Sequence, residues 1–306
     1  MDHLLDKLIE SAKQQKLNIL NIAVRKDGKI IARHDFVPEK PQMLWSVSKT
    51  FTSMAVGIAE SEGYLKLDDR VTDFFDSRRY AIPDDFKRIS IHDLLCMGSG
   101  QGVCPVTKAL DSGFVINDIC DLFFNEPLVY EPGTHFVYSN ANPYMLSRII
   151  LATTGYDLLD YLNERIFEPL GISRPHWDKC PLGITLGFSG LMLCATDLSK
   201  FGQLILDKGV FNGSELIPSS YIEKASHPQI STEDFRPVFA TNDSQAGYGY
   251  YMWMNSYPGS FRMDGLNGQY VVILPDKNAV VTYLSYQPEN TLDILKLTWD
   301  TLVNKL

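Results

Sequence analysis

The spacing of hydrophobic residues changes twice along this 306-residue chain, and this change limits the folds that it can adopt. Residues 19–24 and 29–34 are rich in β-branched residues and flank Asp27-Gly28, a dipeptide typical of tight hairpin turns. Similar short runs return in the last sixty residues, at 248–254, 260–263, 270–274 and 279–285. Strands at both ends of a chain most simply pair in one antiparallel sheet.

The sequence between these two ends has the hydrophobic spacing of helices. Residues 46–62 predict a helix that ends at Gly63, and further helices are predicted at 91–95, 116–124, 143–154, 158–167 and 197–206. Terminal helices are predicted at 4–12 and 288–306. We therefore expect an α/β (α+β) fold, with an antiparallel sheet flanked by helices. Residues 1–64 and 185–306 would form the sheet domain, and residues 65–184 an inserted, mainly helical domain.

Composition argues against several classes of protein. The formal net charge of −9 is unsuited to a nucleic-acid surface, which needs clustered Lys and Arg. No run approaches the ~18 apolar residues of a membrane-spanning helix. The N-terminus lacks the pattern of a secretory signal, so we expect a cytoplasmic protein, although a trimmed exported form would look the same. Five widely spaced cysteines favour free, mostly buried thiols over disulfides or a metal site.

Ser46 and Lys49, at the start of the predicted helix 46–62, are suited to nucleophilic catalysis. Residues three apart on a helix lie on the same side, so the hydroxyl and the amine point together. A serine needs a base to take its proton, and a lysine can act as one only if its surroundings lower its pKa from about 10.4. The same pair also fits an ordinary helix cap with a solvated lysine.

Tyr138-Ser139-Asn140 forms a second element, after a turn at residues 131–134. A tyrosine phenol can shuttle a proton when nearby cations stabilise the phenolate, and the asparagine amide offers a donor and an acceptor to a substrate amide. A buried structural tyrosine is the alternative interpretation.

A third element, residues 262–269, joins two predicted strands. Its glycines permit a ligand to approach the backbone closely, but an ordinary glycine-rich turn fits equally well.

Gly187-Phe188-Ser189-Gly190 is one residue short of a nucleophile elbow and indicates a turn beside the cleft. The aromatic residues near the third element fit either an acyl-group pocket or alternating faces of a sheet; they are Tyr248, Tyr250, Tyr251, Trp253, Phe261 and Tyr270.

In their order along the chain, the three elements resemble the motifs of the serine β-lactamase and penicillin-binding-protein superfamily, which includes D-alanyl-D-alanine carboxypeptidases. The Tyr-x-Asn form of the second element is similar to the class C branch and its carboxypeptidase and esterase relatives. The resemblance extends over about residues 20–305, through segments at 64–69, 91–100, 131–140, 167–171, 189–202 and 268–276.

This resemblance implies a serine hydrolase in which Ser46 attacks a carbonyl and forms an acyl-enzyme that water then hydrolyses. Lys49 and Tyr138 would move the proton, and Asn140 would bind an amide of the substrate. The oxyanion would lie between the backbone N–H groups of Ser46 and Leu266. The resemblance implies a small ester, amide or peptide-like substrate and no metal or organic cofactor. It leaves the oligomeric state open.

The third element departs from the family pattern, which is Lys-Thr-Gly or has His in the first place. Here Met263-Asp264-Gly265 lacks the motif cation, and its carboxylate would repel the carboxylate of a penicillin. We therefore expect no strong β-lactamase or carboxypeptidase activity. Asp264, Gly265 and Leu266 would instead contact an ester, an amide or a substrate with a cationic group near the reacting carbonyl. A penicillin-binding or sensor-like domain with little or no turnover is the alternative, and an inactive scaffold is a third.

Overall fold

Ten β-strands are found in the computed structural model, which describes residues 3–113, 115–235 and 241–306. They are β1 (Ile19–Lys26), β2 (Lys29–Asp35), β3 (Gln42–Met43), β4 (Met192–Leu193), β5 (Val210–Phe211), β6 (Ser214–Glu215), β7 (Trp253–Met254), β8 (Phe261–Gly265), β9 (Gln269–Leu274) and β10 (Ala279–Ser285). Six of them form the main antiparallel sheet in the order β2-β1-β10-β9-β8-β7.

Strand β1 joins the two ends of the chain. It pairs with β2 through the Asp27-Gly28 turn, where both residues have positive φ, the backbone geometry of a tight hairpin. On its other side it pairs with β10, so that Ile22 lies between His34 and Tyr283. The predicted antiparallel sheet built from both chain ends is confirmed.

Within the described residues, ten α-helices cover the sheet and fill the middle of the chain. They are α1 (Asp6–Gln14), α2 (Ser48–Ser61), α3 (Ile91–Leu95), α4 (Pro105–Asp111), α5 (Ile119–Asn125), α6 (Ala141–Thr154), α7 (Leu158–Leu162), α8 (Ala195–Leu206), α9 (Ser219–Ala225) and α10 (Leu292–Leu297). Helix α7 continues as a π-helical turn over Asn163–Phe167. Helix α10 continues as a π-helical turn over Thr298–Leu302 and a 3-10 turn over Val303–Lys305.

The two faces of the sheet contact different layers, because side chains alternate along each strand. On β9, Tyr270 and Val272 belong to a core formed with the terminal helices α1 and α10. Val271 and Ile273 belong to the larger core, which includes α2, α6 and α8. That core also holds Phe51 of α2, so this helix lies behind the inner face of the sheet.

Helix α2 runs through the interior of the protein. Every residue from Ser48 to Ala59 is buried, as the wide apolar face of the sequence indicates. The helix packs against both the sheet side and the middle of the chain, where Phe51 stacks on Phe167 with ring centroids 5.6 Å apart. The division into domains at 64/65 and 184/185 stays a prediction, since one hydrophobic core contains residues from both proposed parts.

The strand predicted at 248–254 is mostly wrong. Only Trp253–Met254 forms a strand, β7, and Tyr248 makes isolated bridges to Ile230 and Trp253, because the backbone turns at Tyr251, where φ is +59°. The apolar residues of this segment, most of them aromatic, are buried in the core, and most of them do not belong to a strand. The short helices α4 and α9 were also not predicted. In the described part of the chain, no helix is both long and apolar enough to cross a bilayer.

Candidate active site

Ser46 lies in a single 3-10 turn, Trp45–Val47, that leads into α2. Trp45 adopts φ of +51°, a left-handed conformation that a bulky residue rarely takes. Backbone strain of this kind concentrates at functional sites, where the surrounding structure holds it in place. Ser46 is half-buried, at the edge of the core.

Lys49 lies one turn further along and contacts the Ser46 hydroxyl. Its Nζ is 2.6 Å from Ser46 Oγ and 3.1 Å from the carbonyl oxygen of Phe188. The side chain is 1% exposed, and burial lowers its pKa to about 7, against the opposing effects of Cys104 and Asp264. A substantial fraction of Lys49 is therefore the neutral amine near pH 7, and a neutral amine can accept a proton.

Tyr138 comes from a different part of the chain and faces the same two side chains. Its ring centroid is 4.9 Å from Lys49 Nζ, and its phenol lies close enough to Ser46 for the serine to lower its pKa. Burial raises the pKa of the phenol, and the effect of Ser46 only partly opposes this. Tyr138 is thus a neutral phenol at pH 7, which disfavours the phenolate that the sequence-based interpretation required.

Asn140 is half-buried at the start of α6, where its side chain makes no capping hydrogen bond. Its backbone N–H donates to Cys104 Sγ at 3.2 Å, and the N–H of Thr107 donates to the same sulfur at 3.5 Å. Cys104 is a member of the site that the sequence did not indicate, since a lone cysteine in a loop carries no motif. All five cysteines are free, and three of them are buried.

The third element ends beside the Trp45–Val47 turn. A Cβ at Gly265 would collide with the carbonyl oxygen of Leu44, so only glycine lets the end of β8 lie this close to the turn. Leu266 follows at once and is 57% exposed. The backbone that lies close against Gly265 is therefore the protein's own, at Leu44.

Asp264 has a cationic partner that the motif comparison did not reveal. Arg262, two residues earlier on β8, donates from Nε to Asp264 Oδ2 at 3.0 Å. Burial raises the pKa of Asp264, while Arg262 and Lys49 oppose the rise. Met263 stands where the family has a cation, as the sequence indicates, but the guanidinium of Arg262 lies directly beneath Asp264.

Aromatic side chains surround Tyr138 and exclude water from one side of the site. Trp253 stacks on it with ring centroids 6.0 Å apart, and Tyr248 and Phe136 meet it at 6.5 and 6.4 Å. The Phe188 carbonyl bound by Lys49 confirms that the turn at 187–190 lines this region. Among the described residues, no group of three or more His, Cys, Asp or Glu is placed to hold a metal ion.

Known proteins share both the sequence pattern and the fold. A family model described as Beta-lactamase matches residues 5–303, and the chain belongs to the β-lactamase family. It is 32% identical over 176 residues to a D-aminopeptidase of Brucella anthropi, across 50% of this chain and 31% of that protein. It is 24% identical over 276 residues to a 6-aminohexanoate-dimer hydrolase of Paenarthrobacter ureafaciens, across 84% of this chain and 69% of that protein.

Solved structures agree on the architecture. An octameric penicillin-binding protein homologue from Pyrococcus abyssi superposes with a TM-score of 0.77 at 22% identity, covering 97% of this chain and 76% of that one. A class C β-lactamase variant superposes with a TM-score of 0.74 at 15% identity, covering 100% and 97%. The chain therefore has the β-lactamase fold. The family and its named relatives support a hydrolase of this superfamily.

Proposed function

We propose that this protein is a serine hydrolase that forms an acyl-serine intermediate at Ser46 and acts on a small ester, amide or peptide-like substrate. The observation that carries the proposal is the convergence of three groups on one point. Ser46 Oγ lies 2.6 Å from the amine of Lys49, the Tyr138 ring centroid lies 4.9 Å from the same amine, and Ser46 acts on the pKa of the Tyr138 phenol. A nucleophile within hydrogen-bond reach of a base is the arrangement that activates a serine hydroxyl.

Lys49 is the proposed base. As a neutral amine it donates one hydrogen to the Phe188 carbonyl and presents its lone pair to the Ser46 hydroxyl. It takes the proton as Ser46 Oγ bonds to the substrate carbonyl carbon. The resulting oxyanion would lie between the backbone N–H groups of Ser46 and Leu266. Each such donor is typically worth about 3 kcal/mol to the transition state.

Tyr138 is the proposed proton donor to the leaving group. Because burial keeps its phenol neutral, it can give its proton to the departing oxygen or nitrogen and regain one from the Lys49 ammonium. Asn140, whose side-chain amide does not cap α6, is proposed to bind a substrate amide. Water then attacks the acyl-serine ester and releases Ser46.

Asp264 is proposed to favour a substrate with a cationic group near the reacting carbonyl. Its charge acts on both Lys49 and Tyr138, so it lies close enough to affect a bound substrate, and it repels an anionic one. Two similar proteins support this preference, since the names D-aminopeptidase and 6-aminohexanoate-dimer hydrolase both denote substrates with an amino group.

A substrate screen tests the proposal. Purified protein and its Ser46→Ala variant are assayed with p-nitrophenyl esters, D-amino-acid p-nitroanilides and nitrocefin. We expect Ser46-dependent turnover of esters or amides, fastest for those with a free amino group, and little turnover of nitrocefin. Nitrocefin turnover at the rate of a true β-lactamase would overturn the assigned preference, and equal rates in the two proteins would overturn the mechanism.

A penicillin-binding or sensor-like domain is the second candidate, favoured by the altered third element and by the names of several similar proteins. A fluorescent penicillin separates the two candidates. Stable labelling at Ser46 without turnover of any ester or amide would support the sensor. Rapid labelling by a fluorophosphonate together with ester turnover supports the hydrolase.

A further inference from the structure

Arg262 and Asp264 form an ion pair on one face of β8. Residues two apart on a strand point to the same side, and Arg262 Nε lies 3.0 Å from Asp264 Oδ2. The two partners are unequally buried, because the Arg262 side chain is 2% exposed and that of Asp264 is 23% exposed. The carboxylate therefore lies over the cation and separates it from the substrate side.

The guanidinium of Arg262 is fixed in place from several directions. Its Nη1 donates to Asn255 Oδ1 at 2.8 Å and to the backbone oxygen of Asp243 at 3.0 Å. Its Cζ also lies 5.6 Å from the ring centroid of Trp253, the same ring that stacks on Tyr138. A cation held in this way cannot swing into solvent when its partner changes.

Neutralising Asp264 would leave this buried cation without its carboxylate. The backbone and amide oxygens around Arg262 orient it but carry no net charge. In a poorly solvated site the uncompensated charge acts strongly over a short range. The carboxylate of Asp243, whose backbone oxygen Arg262 contacts, is already bonded to Ser256 and Trp299, so an anion on a bound ligand is the group that can balance the charge from the substrate side.

We propose that Arg262 is a positioning residue that determines the charge specificity of the site. It holds the Asp264 carboxylate in place, and with Asp264 present the pair selects cationic substituents. With Asp264 neutralised, the charge of Arg262 is uncovered and selects anionic substituents instead. This inference rests on the proposed function, because the selection is made among substrates that acylate Ser46.

The test compares three p-nitrophenyl esters of similar size: β-alanine (cationic), butyrate (neutral) and succinate (anionic). Each rate is corrected with Ser46→Ala protein. We expect Asp264→Asn to raise the ratio of kcat/KM for succinate over β-alanine at least 100-fold. The double variant Arg262→Gln/Asp264→Asn should lose most of the gain on succinate, because its cation is gone. A ratio for Asp264→Asn within twofold of the wild type would overturn the inference.

The chain offers a matched control on β2, where Arg33 and Asp35 have the same spacing and a 2.7 Å ion pair but are exposed. Asp35→Asn should leave the ratio unchanged. If the double variant does not fold, as judged by circular dichroism, inhibition of butyrate hydrolysis by acetate decides. Stronger inhibition of Asp264→Asn than of the wild type supports an uncovered charge, and equal inhibition of the two contradicts it.

Failure of the inference and failure of the proposed function give different results. If wild-type protein hydrolyses none of the three esters in a Ser46-dependent manner, both fall. If it hydrolyses butyrate through Ser46 while Asp264→Asn leaves the charge ratio unchanged, only the inference falls.

Discussion

Two buried basic side chains, Lys49 and Arg262, lie at the candidate active site and contact different groups. Both side chains are at most 2% exposed. The hydrogen bonds described for Lys49 go to neutral oxygens, those of Ser46 and Phe188, and burial lowers its pKa to about 7. Arg262 is paired with the carboxylate of Asp264.

Burial disfavours a charge on either side chain, and the groups that each one contacts decide whether the charge is kept. An ammonium group surrounded by neutral oxygens gives up its proton readily, whereas a guanidinium stays protonated in proteins. Lys49 is thus suited to move protons, and Arg262 is suited to supply a fixed field.

Lys49→Arg should have the largest effect. Arginine keeps the positive charge but cannot become a neutral amine at neutral pH, so kcat/KM for a neutral p-nitrophenyl ester should fall about 1,000-fold, within the range for loss of a general base. Lys87→Arg, at an exposed position, is the matched control and should leave the rate unchanged. Activity of Lys49→Arg within tenfold of wild type would show that Lys49 is not the base.

The pH dependence of wild-type protein should show the titration of Lys49. Because the pKa of Lys49 is lowered to about 7, the amine form is lost as pH falls below 7 and dominates above it. We expect kcat/KM for a neutral ester to rise up to pH 7 and level off above, with about a 100-fold change from pH 5 to 8. A profile that is flat between pH 5 and 8 contradicts a titrating lysine.

Gly265→Ala should displace the strand that carries the Arg262–Asp264 pair relative to Ser46. The added Cβ collides with the backbone oxygen of Leu44, and a shift of about 1 Å at a reacting centre costs up to 100-fold in rate. We expect about a 30-fold loss of kcat/KM, together with a lower Tm. Gly102→Ala, whose Cβ would meet only a Val129 methyl at 3.0 Å, should change much less.

Cys104→Ser should have the smallest effect and should act on the proton equilibrium. The sulfur of Cys104 raises the pKa of Lys49, so its replacement by a neutral hydroxyl should move the midpoint of the pH profile below 7. At pH 8, where Lys49 is already deprotonated, kcat/KM should change less than about threefold. Cys194→Ser, at the other half-buried cysteine, should leave the midpoint in place.

The sheet could be predicted from the sequence because its strands follow the period-two pattern and the turn chemistry is specific. The run at 279–285 is β10, and Asp27-Gly28 forms the predicted hairpin. The strand predicted at 248–254 was wrong because the aromatic residues of this segment fill the core around a backbone turn. Composition alone does not distinguish such a buried turn from a strand.

The site could be predicted in part. Ser46 and Lys49 are close because helical spacing places them so, and the resemblance supplied Tyr138, which the structure brings to the same point. Arg262 was missed as the partner of Asp264, because its anchors at Asp243 and Asn255 become neighbours only in the folded chain. The catalytic roles stay predictions.

The pairing of β1 with β10 has a consequence for how the protein is made. Ile22 and Tyr283 are neighbours in the sheet although some 260 residues separate them, and β8, which lies beside the Ser46 turn, belongs to the same sheet through β9. Contacts this distant along the chain form late in folding, and a nascent chain cannot form them before its last strands emerge. The first hydrolysis detected during translation would therefore indicate that β10 has paired with β1.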